Sequence, residues 1–203
     1  MNDLDRALGD ITSIRRQVAR STEFRGYGPA TLAATSLFAL SAAGVQALWL
    51  FDPAHHIGGY LAIWISTALL SAALTGAQMY TRSRRMHSGM SDEMIHMAVE
   101  QFLPAVMVGF LLTVVLVRVA PHESWMLPGL WELIFSLGVF ASCRFLPRPM
   151  FGVGVWYLAA GLFCLAQAGA AHVLSPWMMG VPFGVGQLLV AAVLQFGYGE
   201  TLE

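Results

Sequence analysis

Charge is scarce in this chain of 203 residues: 11 Lys+Arg and 12 Asp+Glu make up 11% of it, where water-soluble domains carry about a quarter. With 57% hydrophobic residues and a mean hydropathy of +0.63, the composition excludes a soluble globular domain and a disordered segment alike. Lysine is absent and the formal net charge is -1, so there is no basic field for a nucleic acid. Cysteine is nearly absent too. Cys143 and Cys164 lie in apolar stretches without CxxC spacing or companion histidines, which argues against a disulfide framework and a structural zinc site. The first 25 residues hold Asp3, Asp5, Asp10 and Glu23 and no apolar run of leader length, so no cleaved signal peptide is expected. No Ser-His-Asp order, phosphate-cradling glycine loop or HExxH motif occurs. Nothing in the sequence supports an enzyme or calls for a cofactor.

What the chain has is long apolar runs, and a helix needs about 20 residues to cross the hydrocarbon core of a bilayer. Arg25 to Asp52 encloses 26 uncharged residues, Asp52 to Arg82 29, Glu100 to Arg118 17, and Arg148 to Glu200 51, the last broken near Ser175 and Pro176. Between Glu123 and Arg144 the run is interrupted by Glu132. A mid-membrane acid costs about 2.5 to 3.5 kcal/mol, nearly cancelled by surrounding Leu, Ile, Phe and Val at about 0.3 to 0.6 kcal/mol each. Glu132 is also off-centre, which lowers its cost. The expected fold is an all-α polytopic membrane protein with six transmembrane helices near 28–51, 57–80, 100–119, 125–146, 150–173 and 177–198. Residues 26–199 form the membrane domain, preceded by a cytoplasmic amphipathic helix over residues 1–25.

Six spans with the amino terminus inside put ten of the 11 arginines on the cytoplasmic side, leaving only Arg118 outside. That asymmetry predicts an inner (plasma) membrane protein with both termini cytoplasmic. Trp49, Trp125 and Trp177 then fall at the outer ends, and Tyr27, Tyr80, Tyr157 and Tyr198 at the inner ends, the preferred level of amphipathic rings.

Lipid gives helices no hydrophobic drive to associate, so small and polar residues mark the packing faces. Ala68, Ala72 and Gly76 form one stripe on the second span, and Gly180 with Gly184 a GxxxG pattern on the sixth. Polar stripes run through Thr31, Thr35, Ala42 and Gln46 on the first span, Gly129, Glu132, Ser136 and Cys143 on the fourth, and Gly184, Gln187, Ala191 and Gln195 on the sixth. These three faces are expected to meet inside the bundle, either as interhelical hydrogen bonds or around a polar path.

Glu132 is the most informative position, because an acid below the membrane surface must be protonated, paired or wetted. Arg118, across a short hairpin, is its expected partner. Either their ion pair pins the hairpin, or Glu132, Arg118, Gln187, Gln195 and Gln46 belong to an intramembrane polar site. Ser91 is placed to cap a helix opening with Asp92 and Glu93, and Pro104 to kink it. Glu93, His96 and Glu100 share one helical face at a metal-ligand spacing, but no matching motif lies elsewhere, and a solvated face explains them. Met86, His87, Met90, Met94, His96 and Met97 suit Cu(I) by softness, yet adaptable apolar packing accounts for them first. Among the histidines only His172 approaches a haem-ligand position.

Leu4, Ala7, Ile11, Ile14 and Val18 alternate at spacings of three and four, the seam of a docking helix too short to be stable alone. The leading functional expectation is therefore a non-enzymatic accessory or regulatory membrane protein working through a protein partner or a second copy of itself. The first alternative is a small carrier or proton-coupled transporter using the intramembrane Glu/Arg site. The second is a haem- or metal-binding membrane protein.

Overall fold

The computed structural model describes the backbone of residues 29–50, 52–86, 89–143, 149–171 and 174–197, and the side chains of 30–50, 52–81, 100, 102–143, 149–167 and 174–195. The seam residues Leu4, Ala7, Ile11, Ile14 and Val18 lie outside them, as do His172 and the side chains of Glu93 and His96.

Among the described residues the chain is all-helical: α1 Pro29–Trp49, α2 Ile57–Met86, α3 Gly89–Val119, a 3-10 helix Pro121–Met126, α4 Leu127–Ser142, α5 Met150–Ala171 and α6 Trp177–Gly197. Six of these stretches are long and apolar enough to cross a membrane; the fourth joins the 3-10 helix to α4 as Pro121–Ser142. The chain is a multi-pass membrane protein whose helices form a six-helix bundle. No more than seven residues separate each helix from the next, as neighbouring antiparallel spans require. α3 begins at Gly89 and so takes Ser91 into its first turns rather than leaving it as the cap, and the helix runs on through Pro104.

Around the bundle the order is α3, α4, α5, α6, α1, α2, with α2 touching α3 to close the ring. Two pairs are in closest contact. In the α1–α6 pair, Gly180 faces Ala43 and the carbonyl of Ala39, while the Ser36 hydroxyl donates to the Gly184 carbonyl at 2.8 Å. The GxxxG of α6 is thus a packing face, as its spacing predicts. In the α4–α5 pair, a Cβ on Gly129 would lie 2.7 Å from the Gly161 carbonyl, and one on Gly161 2.8 Å from the Gly129 carbonyl. Leu133 and Leu165, each four residues beyond its glycine, flank the crossing reciprocally.

The small-residue stripe of α2 behaves differently. Ala68, Ala72 and Gly76 are all exposed, and nothing would meet a Cβ on Gly76. The inward face of α2 follows Tyr60, Trp64, Thr67, Ser71 and Thr75 instead. One residue along a helix turns the chain by about 100°, so a stripe displaced by one position from Thr67, Ser71 and Thr75 faces outward. Only 11% of the α2 span and 6% of the α3 span are buried, so these two are the least buried of the six.

Candidate functional site

Glu132 is the sixth residue of α4 and is wholly buried, with an exposure of 0%. The first turn of α4 is itself buried at Leu127, Pro128 and Gly129, because the close Gly129–Gly161 crossing draws it against α5. One turn further on, the same face of α4 carries Glu132 into the bundle interior. Its Oε1 lies 4.0 Å from the Cys164 Sγ of α5, at the outer limit of a thiol hydrogen bond, and its Oε2 has no hydrogen-bond partner among the described residues.

Two tyrosines share this interior. Tyr60, near the start of α2, and Tyr157 of α5 are both fully buried, and neither hydroxyl has a hydrogen-bond partner among the described residues. The side chain of Gln187 approaches the Tyr157 hydroxyl without meeting hydrogen-bond geometry. Glu132 interacts electrostatically with Tyr60, Tyr157 and Cys164. Buried polar groups ordinarily find partners, and each one left without costs about 1 to 3 kcal/mol. Two such hydroxyls in the interior that holds a carboxyl with an unpartnered oxygen of its own are therefore a feature to be explained.

Aromatic rings frame the acid on both sides along α4. Tyr60 stacks on Trp131 with centroids 6.3 Å apart and contacts Trp64 at 6.4 Å. Phe135 meets Tyr157 at 4.6 Å and Phe183 at 5.3 Å. The Trp131 Nε1 donates to the Thr113 hydroxyl at 2.8 Å, which fixes the indole against α3. Above this layer the buried Ser124 hydroxyl of the 3-10 helix is also unpartnered.

Cys164 owes its place to a proline. Pro182 inside α6 has no N–H to give the carbonyl four residues back. That carbonyl, of Met178, accepts the Cys164 thiol at 3.5 Å. The Pro182 carbonyl accepts from the Trp156 Nε1 at 3.0 Å.

The candidates named from the sequence separate here. Arg118 is exposed at the end of α3, and no ion pair joins it to Glu132. The 3-10 helix between them leaves Arg118 on the outer surface while α4 turns its acid toward α5. Gln46 is buried and fully engaged, donating through Nε2 to the Leu174 carbonyl at 2.7 Å and accepting the Trp64 Nε1 at 2.7 Å. It is a clasp between α1, α2 and the α5–α6 connection. Gln187 faces inward and its Oε1 accepts the Thr35 hydroxyl at 3.3 Å. Gln195, in the last turn of α6, is exposed because its neighbour Leu194 takes the buried position. Glu100 is exposed, and among the described residues no group of three His, Cys, Asp or Glu side chains is arranged to hold a metal. Of the polar faces expected to converge, those of α1 and α6 meet through Thr35, Ser36, Gly184 and Gln187, while Glu132 turns to α5.

Tyr60, Cys164 and Tyr157 were not legible as site residues. Tyr157 reads as a member of the inner aromatic belt, but it is the eighth residue of α5, two turns below the helix end, and wholly buried. Tyr80 and Trp49, by contrast, are exposed.

At the bundle end nearer the site, the turn before α2 is held by Asp52, which accepts the His55 backbone N–H at 3.3 Å and contacts the His55 Nδ1 at 2.8 Å. The backbone hydrogen bond, aided by the ring, holds the Asp52 carboxyl below its ordinary range. This contact is solvent-exposed and is an ion pair only when His55 is protonated.

Comparison with protein-family models, with curated proteins and with solved structures finds no match in any of the three.

Proposed function

We propose that this chain is a small membrane carrier that binds its cargo at Glu132 in alternation with a proton. The observation that carries the reading is the wholly buried carboxyl of Glu132, which among the described residues has no cationic partner and a free Oε2, with two likewise unpartnered tyrosine hydroxyls in the same interior. An intramembrane acid without a structural ion pair is a functional site by default. In hydrocarbon it stays neutral by holding a proton or by meeting a cation. The arginine distribution supports residence in an inner (plasma) membrane with both termini cytoplasmic. Infrared spectroscopy of the purified protein tests the reading. A protonated-carboxyl band should vanish as pH rises and be missing from Glu132→Gln, and proton efflux from liposomes should fall at least tenfold in that variant. A pH-insensitive band, or efflux equal in the two proteins, overturns it.

A second reading, a regulatory subunit that works through a protein partner or a second copy of the chain, draws support from the outward small-residue stripe Ala68, Ala72 and Gly76, a surface suited to another helix. It predicts that deleting residues 2–24 removes an oligomer or a co-purifying partner while the bundle keeps its melting temperature. Unchanged assembly on size-exclusion chromatography with light scattering would end it.

A further inference from the structure

The class of cargo follows from what surrounds the acid. On one side of Glu132 along α4 stands Trp131, stacked on Tyr60; on the other, Phe135, packed with Tyr157 and Phe183. Each cluster contributes one tyrosine whose hydroxyl is buried and unpartnered. Aromatic faces carry negative charge density, and a cation placed over them is attracted by about 0.5 kcal/mol when exposed and by about 2 kcal/mol or more when desolvated. Trp131 and Phe135, four residues apart, share one face of α4 beside Glu132, and a single carboxylate beside such rings is electrostatically matched to one positive charge and to nothing negative.

We propose that the Glu132 site binds a monovalent organic cation, an ammonium group carrying an apolar or aromatic body. The inference rests on the carrier reading. The positive head pairs with Glu132 Oε2, the free oxygen, and the body lies among the rings. The Tyr60 and Tyr157 hydroxyls, which make no hydrogen bond among the described residues, are available to donate to the carboxylate when it is charged and so to replace the hydration it has lost. A carboxyl beside these rings holds either a proton or the cation. Entry of the cation sends the Glu132 proton to water, and its departure returns one, so mass and charge balance without a further reactant. An inorganic ion fits less well: a small metal cation demands several oxygen ligands, whereas most of the surroundings are ring carbon.

The geometry also sets the side of entry. Tyr60 is the fourth residue of α2 and Glu132 the sixth of α4, so both lie near the end of the bundle that carries the Asp52–His55 turn and the 3-10 helix. The unpartnered Ser124 hydroxyl lies between that end and the acid. The cation reaches Glu132 from there.

The test uses phenyltrimethylammonium as probe, with isosteric neutral tert-butylbenzene and anionic benzenesulfonate as controls, on the full chain in nanodiscs. Tryptophan fluorescence reports binding, since Trp131 and Trp64 belong to the site. The cation should change the signal saturably, with at least tenfold tighter binding than either control. Glu132→Gln should weaken it at least tenfold, and Tyr60→Phe and Tyr157→Phe, which keep the rings, several-fold. The wild-type comparison stands even where a variant fails to fold. Equal binding of cation and neutral isostere, or no saturable signal, overturns the proposal. If the infrared band still titrates in that case, the cargo class has failed and the carrier reading survives; if it does not, both have failed.

Discussion

Gly161→Leu is expected to prevent the bundle from forming in its present geometry. A Cβ at this position would stand 2.8 Å from the Gly129 carbonyl oxygen and 2.9 Å from the Leu133 Cγ. The first of these is backbone and cannot rotate away, so α4 and α5 must separate. Overpacking of this kind costs about 1 to 3 kcal/mol for small increments, and three further carbons push the leucine beyond that range. The two helices share one of the two closest contacts of the fold, and their separation also moves Cys164 away from Glu132. The variant should elute as aggregate in mild detergent, or melt well below wild type by intrinsic fluorescence. Gly152→Ala is the matched control on the same helix, because nothing lies within 4 Å of its Cβ position. There the gain in helix propensity, at most about 1 kcal/mol, leaves the melting temperature unchanged or slightly raised. A folded, wild-type-like Gly161→Leu would refute the crossing as drawn.

Gln46→Leu should be the most damaging substitution among the polar residues of α1. The leucine has nearly the volume of glutamine but none of its polarity, and it leaves the Trp64 Nε1 and the Leu174 carbonyl, both now bonded at 2.7 Å, without partners in a buried place. Each orphaned group costs about 1 to 3 kcal/mol, so a loss on the order of 2 kcal/mol or more is expected. Thermal denaturation in detergent should show it as a clear fall in melting temperature. Trp64→Phe removes one of the two orphans. The double variant should therefore lose less than the sum of the singles, since residues in one hydrogen-bond network do not act independently. Strict additivity would mean that Gln46 does not clasp Trp64. The same experiment separates clasp from ligand site: cation binding at Glu132 should survive Gln46→Leu wherever the protein still folds.

The polar candidates show where sequence reading holds and where it stops. Glu132 was legible because a charged residue inside an apolar run is costly wherever the helix turns, and that cost does not depend on neighbours. Its partner was not legible. Short hairpins bring helix ends together, which made Arg118 the natural mate, but the rotation of α4 about its own axis is set by the Gly129–Gly161 contact, and that rotation sends Glu132 to α5. The stripe on α2 turned outward for a related reason: it lies about 100° round the helix from Thr67, Ser71 and Thr75, and the packing of the bundle took that face instead. Gln46 and Gln195 are the same residue type; one is sealed and the other exposed because of their depth and their neighbours. The link from Pro182 to Cys164 through the Met178 carbonyl joins two helices, and no one-dimensional pattern carries it.

By itself the sequence determined the solvent and the class of fold. Runs of uncharged residues long enough to cross hydrocarbon, with their breaks, set six helices in lipid, because the bilayer tests each segment almost alone. It also marked one acid as out of place. Only the tertiary structure decided which faces meet, that Arg118 stays away from the acid, and that two buried tyrosines and a cysteine stand beside it. Those outcomes depend on helix rotation and depth, fixed by contacts of a few ångströms between residues far apart in the chain.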